Sequence, residues 1–224
     1  MRTIVTILFS LVVVYNLGSC KKVDTTYRNY ENHLAEFNGS ALKYLQGQTG
    51  QYDSMLLALD RIQGLKDTLD SKRITLFAVS NKSFDLMLQN VNNARADSLP
   101  IMPPLSIRTM NQAVLDSFLC RYILRGQYFS DDYRQSGDGL TLPSVKYGYN
   151  MAAQYIGTNA SGFIGGGPRE VKFSDPKNSI FVRYWVSVNT ITTDIKAQNG
   201  VVNVLPPGHD FGFGDDFVRA LNRR

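Results

Sequence analysis

The sequence predicts an α+β fold, with helices gathered in the first half of the chain and short strands in the second. Three observations lead there. The run Ile74 to Val79 is apolar and β-branched, and after Ser80-Asn81 the apolar residues Phe84, Met87, Leu88 and Val91 recur at helical spacing, giving strand, polar hinge, helix. Far downstream, Asn199-Gly200 is a tight-turn dipeptide leading into the strand run Val201 to Leu205, which Pro206-Pro207 closes. Upstream of Ile74 the apolar residues keep a helical period, whereas residues 128–188 read as short strands parted by turns. With 224 residues, 43% hydrophobic and 19% charged, and no internal repeat, the chain suits one globular domain plus attachments.

The first attachment is a leader. Arg2 precedes an apolar stretch from Ile4 to Leu17, too short to span a bilayer, which needs about 20 residues. A positive start, a short apolar core and small residues at the end describe an export signal. Its end, Leu17-Gly18-Ser19-Cys20, resembles a bacterial lipobox. That resemblance implies a signal peptide over residues 1–19, cleavage before Cys20 and lipidation of Cys20, with 20–39 as a lipidated tether and short helix. The alternative is an ordinary secretion signal that contains a cysteine. Lipidation would occupy Cys20 and leave Cys120, in the apolar run Phe118-Leu119-Cys120, as a buried free thiol. Several acyl chains would hold the protein to a membrane with no helix crossing it. Lys21, where an inner-membrane retention signal has aspartate, points to the outer membrane or the cell surface.

Tyr27, Tyr30, Leu34 and Phe37 predict a first helix from Thr26 to Phe37. A second begins at Ser40, carries Leu42 and Leu45 and breaks at Gly47 to Gly50; a third, Tyr52 to Ile62, presents Met55, Leu56, Leu59 and Ile62. Leu65 to Leu69 then leads into the central strand. Beyond it come a helix from Ser83 to Asn92, a proline-containing connector from Ser98 to Pro104 and a helix from Ser106 to Phe118. A short strand segment lies at Arg121 to Gly126. Residues 128–188 give a turn at Gly137-Asp138-Gly139 and strands at Tyr147–Tyr155, Val171–Phe173 and Ile180–Val188, with a glycine-rich hairpin tip at Gly157–Pro168. Ile191 to Asp194 leads to the last strand, and a short helix from Asp215 to Asn222 ends the chain.

The segments Thr75-Leu76-Phe77-Ala78-Val79-Ser80-Asn81-Lys82-Ser83-Phe84 and Asp194-Ile195-Lys196-Ala197-Gln198-Asn199-Gly200-Val201-Val202-Asn203-Val204-Leu205, in that order and at domain spacing, resemble the paired signatures of the fasciclin-like domain. The resemblance runs from about Ser40 to Leu221 and implies a fasciclin-like domain over 40–222: wedge-shaped, β-sandwich-like sheets of about seven strands with flanking helices. It makes Asn81, Asp194, Asn199 and Gly200 structural signature residues. It also implies that the two segments meet in one core, and it lends Asp194-Ile195 a candidate role in partner contact. Arg121 and Tyr122 stand where the family has a tyrosine–histidine pair, so no role of that pair carries over.

The chemistry-bearing residues are few. Only His33 and His209 are present, which argues against histidine-rich metal sites, and Asp131-Asp132 and Asp215-Asp216 lack the spacing of a calcium loop. Ser80 and Ser83 have no histidine near them in sequence, so a capped hinge is the better reading than a nucleophile. Neither a catalytic residue, a cofactor nor a metal is expected. Gly165-Gly166-Gly167 lacks the lysine of a phosphate loop, and Asn159-Ala160-Ser161 is a glycosylation triplet expected by chance. The formal charge of +5, or +4 without Arg2, is scattered, and no nucleic-acid site is expected. Tyr147, Tyr149 and Tyr155, in the loop-rich half, join Asp194 and Ile195 as candidate partner-binding residues. The function these features imply is a non-enzymatic, membrane-anchored adhesion or interaction protein with a protein or glycan partner. The rival is an accessory glycan-binding lipoprotein of an outer-membrane polysaccharide-uptake system.

Overall fold

The computed structural model describes residues 35–98, 101–159 and 167–223. The leader, Cys20 and residues 26–34 of the first predicted helix lie outside the described residues. The end of that predicted helix is extended: Phe37 donates to the Lys196 carbonyl at 2.9 Å and Lys196 to the Ala35 carbonyl at 2.8 Å, so Glu36 bridges Lys196 in parallel. An open strand edge offers these backbone groups partners, and that outweighs the helical spacing of the aromatic residues.

Three short helices come first, α1 (Ala41–Gly47), α2 (Asp53–Asp60) and α3 (Leu65–Ser71). Ser40 caps α1 by accepting from the Lys43 N–H. The helix α3 was hidden in sequence because only Leu65 and Leu69 are buried, too few to show a period, and its start depends on Gly64 at φ +77. Strand β1 (Ile74–Ala78) follows, then α4 (Asn81–Ser98). Helix α5 (Gln112–Leu119) starts later than the spacing predicts, because the Asn111 side chain accepts from the Ala113 and Val114 N–H groups and so caps it there.

One sheet runs β2–β1–β8–β7, with β2 at Ile123–Arg125, β7 at Thr192–Lys196 and β8 at Gly200–Val204. Here β1 and β8 are parallel, with Ile74 opposite Gly200 and Ala78 opposite Val204, so the two signature segments do share one sheet. Every residue of both strands is buried, as befits a pair covered on both faces. A Cβ at position 200 would collide with the Ile74 carbonyl oxygen, which restricts the site to glycine.

The second sheet is antiparallel, in the order β3–β4–β5–β6 (Leu140–Pro143, Asn150–Gly157, Arg169–Asp175 and Val186–Asn189). The described residues therefore hold eight strands. The one beyond expectation, β3, is a four-residue edge strand ending on Pro143, where a missing N–H does no harm. The predicted strand Ile180–Val188 is mostly loop, with only Val186 to Val188 in β6. Phe77 of β1 and Phe173 of β5 stack with ring centroids 3.7 Å apart and join the sheets. Helix α6 (Asp215–Asn222) closes the core through Phe217, which meets Phe118 and Phe211 edge-on.

Candidate interaction surface

Three of the signature residues, Asn81, Asn199 and Asp194, settle backbone groups of other elements. Asn81 does not cap its own helix. Its Oδ1 accepts from the Ser54 N–H at 2.8 Å, at the start of α2, while its Nδ2 donates to the Gly50 carbonyl and to Asp53. Asn199 does the same for two helices: Oδ1 takes the Ala41 N–H at the start of α1, and Nδ2 donates to the Leu69 and Lys72 carbonyls at the end of α3. These are orphan groups that helix ends leave behind. Asp194, at φ +63, accepts both the N–H and the hydroxyl of Ser130 and so starts the 3-10 helix Ser130–Gln135. Burial pushes its carboxyl pKa up, and the two Ser130 donors oppose that.

Of the five candidate partner-binding residues, Asp194 and Ile195 are buried, so neither side chain is presented to a partner in this fold. Tyr149 and Tyr155 are half-buried: the Tyr149 hydroxyl donates to Asp175 at 2.6 Å, and the Tyr155 ring carries the Arg134 guanidinium. Tyr147 is exposed, with its hydroxyl held on Asp116.

Four exposed large apolar side chains lie together in another segment, between β5 and β6. Ile180 is 85% exposed, Phe181 56%, Val182 60% and Tyr184 54%. The segment is nevertheless ordered by its own hydrogen bonds. The Ser179 N–H reaches the Pro176 carbonyl, the Ser179 hydroxyl takes the Phe181 N–H, and the Trp185 indole N–H donates to the Ser179 carbonyl at 2.8 Å. Arg183 lies over the Tyr184 ring at 4.7 Å and near the Phe181 ring at 5.4 Å. Trp185 lines two grooves, of about 320 Å³ with Asn150 and Asn178 and about 100 Å³ with Gln154 and Lys172. The sequence gives no local sign of this loop, because an unbroken apolar run such as Ile180-Phe181-Val182 also fits a fully buried strand.

The nucleophile candidates are engaged structurally. Ser83 Oγ donates toward the Pro206 and Pro207 carbonyls and lies 3.3 Å from Ser80 Oγ. His209 Nε2 is 2.7 Å from the Tyr122 hydroxyl, which also accepts the Gly212 N–H. That imidazole is buried, and desolvation lowers its pKa to about 4. Cys120 is a buried free thiol, its pKa raised by burial and by the hydrogen bond it donates to Asp116. Among the described residues no group of three acidic, histidine or cysteine side chains could hold a metal ion, and no helix is long and apolar enough to cross a membrane.

Comparison with known proteins matches most of the chain to one family model. The Fasciclin domain model fits residues 50–206. A solved FAS1 domain pair from the insect cell adhesion molecule fasciclin I is 15% identical at a TM-score of 0.46, covering 78% of this chain and 46% of that one. The chain thus spans less than half the length of that structure. Comparison with curated protein sequences gives no match.

Proposed function

This chain belongs to the fasciclin domain family, and we propose that it works as an adhesion or interaction module without catalytic activity, tethered to a bacterial membrane by a lipid on Cys20. The family is typically one of cell adhesion and interaction domains. On this reading the protein is exported and held at the outer membrane or cell surface, and it binds a protein or glycan partner. The observation that carries the reading is the 180–184 loop, where four large apolar side chains stand in solvent on a segment fixed by its own hydrogen bonds. Such patches on soluble domains mark contact surfaces. A tether confines the domain near its partner, so modest contacts yield useful avidity.

The test has two arms on the full chain. Cys20→Ala should release the protein from the membrane fraction, and retention there would refute the anchor. Binding to envelope proteins and to neutral and charged polysaccharides should fall sharply in Ile180→Ser/Tyr184→Ser. A folded variant that binds as the parent does would refute the surface.

A further inference from the structure

We propose that the cleft between α6 and the turn after β5 binds an anionic group (carboxylate, sulfate or phosphate) carried on a polysaccharide. This deepens the interaction reading above and rests on it. The cleft holds about 280 Å³ and is lined by Arg121, Lys177, Arg219 and Arg223, against Asp216 as the one lining carboxylate. Such a surplus of cations in a concave site attracts anions.

The cationic groups are positioned from below. Asp175 is fully buried, and its two oxygens serve three members of the site. One oxygen accepts from Arg121 Nη1 at 2.6 Å; the other accepts from the Tyr149 hydroxyl at 2.6 Å and from the Lys177 backbone N–H at 2.9 Å. The Arg121 guanidinium is clamped between the rings of Phe118 and Tyr149, at 3.8 and 4.1 Å. Its Nε is buried with no hydrogen-bond partner among the described residues, although buried donors in native proteins are usually paired. Lys177 and Asn178 take φ values of +51 and +57, a turn that non-glycine residues adopt at some cost and that the Asp175 bond holds. At the rim, Lys177 and Arg219 share Asp216, two cations on one carboxylate. An incoming anion would meet their remaining donors, in the fork geometry arginine offers to carboxylate and sulfate.

The carrier follows from what the cleft adjoins. Asn178 lines both the cationic cleft and the neighbouring 320 Å³ groove, where Thr141, Asn150 and Trp185 continue the surface. Polar amides beside an indole face suit a sugar ring, which has one apolar face and a polar rim. A glycan with an acidic substituent would thus seat its charge at Lys177 and Arg219 and its next ring on Trp185. Asp175 is here a positioning residue, since it acts through Arg121, Tyr149 and Lys177.

Matched probes test this by calorimetry at low and moderate salt: oligogalacturonate against its fully methyl-esterified form, dextran sulfate against dextran, poly-glutamate, and free sulfate and phosphate. The charged glycans should bind at least about tenfold more tightly than their neutral partners, and the difference should shrink with added salt. Whether carboxylate or sulfate binds better identifies the natural substituent. Lys177→Gln/Arg219→Gln should weaken charged-glycan binding about tenfold or more, while Lys43→Gln/Lys66→Gln, outside the cleft, should leave it unchanged. The proposal is overturned if neutral and charged glycans bind alike, if no anionic glycan binds, or if both variants lose equally. Poly-glutamate binding as tightly as the glycans would reassign the cleft to an acidic protein. Thermal unfolding confirms that the variants fold. Failure of the cleft with the 180–184 loop still needed for adhesion would remove this inference alone; loss of both would remove the interaction reading as well.

Discussion

The hinges flanking the central strand pair and the loop before β6 use ordered hydrogen bonds to opposite ends. At Asn81 and Asn199, side-chain amides reach into neighbouring helix ends and leave nothing for a partner. At Ser179 and Trp185 the bonds close back on the loop itself, so the apolar side chains between them are free to face solvent. Polar groups in the first region thus hold distant segments together, whereas in the second they hold an exposed surface still. On the proposed reading, stability and recognition are carried by separate residues, and substitutions should separate them.

The sharpest break in that comparison is Phe77→Ala. It removes the ring that stacks on Phe173 between the sheets and should cost about 4 kcal/mol, read by urea unfolding. A loss under about 1 kcal/mol would mean that the two sheets do not share this core.

Acid should act next. The ordinary histidine pKa is 6.5, and burial lowers that of His209 to about 4, so the unfolded chain binds this proton more tightly than the folded one. Its contribution is complete above pH 6.5 and is lost as the pH falls from there to about 4, a change of about 3 kcal/mol. Comparing unfolding curves of the parent and His209→Gln across that range isolates the effect. Parallel curves would show that the imidazole is not desolvated as placed.

Asn199→Ala comes third. It strands the Ala41 N–H and the Leu69 and Lys72 carbonyls and should cost about 2 kcal/mol. Asn199→Asp keeps the acceptor for Ala41 but loses both donations, and should recover only part of the loss.

Much of this scaffold was legible in the sequence because its signals are local. The strand at 74–78, the strand that opens at Gly200 and the helix at 215–222 each follow from neighbouring residues, though the turn before β8 closes between Ala197 and Gly200 and not on the Asn199-Gly200 pair. Partners of the signature residues were not, since Asn81 caps a helix 27 positions earlier and Asn199 one 158 positions earlier. Asp194 and Ile195 became candidates through the family resemblance, which carries no information on burial in this chain; only the fold places Ser130 over that carboxylate. The loop at 180–184 was misread for another reason. An apolar run reads alike whether it enters a core or leaves it, and the turn at Pro176 to Ser179 decides which. Asp175 went unnoticed as the end of a strand, because its value lies in three groups brought to it from elsewhere.

The smallest expected effect completes the contrast. Ile180→Ser/Tyr184→Ser alters side chains that bury little, so urea unfolding should shift by no more than about 0.5 kcal/mol with an unchanged denaturant slope. Exposed apolar groups contribute to stability only through the area they remove from water, and here that area is small. If the pair costs as much as Asn199→Ala, the loop is packed against the domain and the surface assigned to a partner belongs to the core. If it costs nothing while binding falls, the chain divides its work as the two regions suggest: asparagines hold the sheet to the helices, and the loop stays exposed for contact.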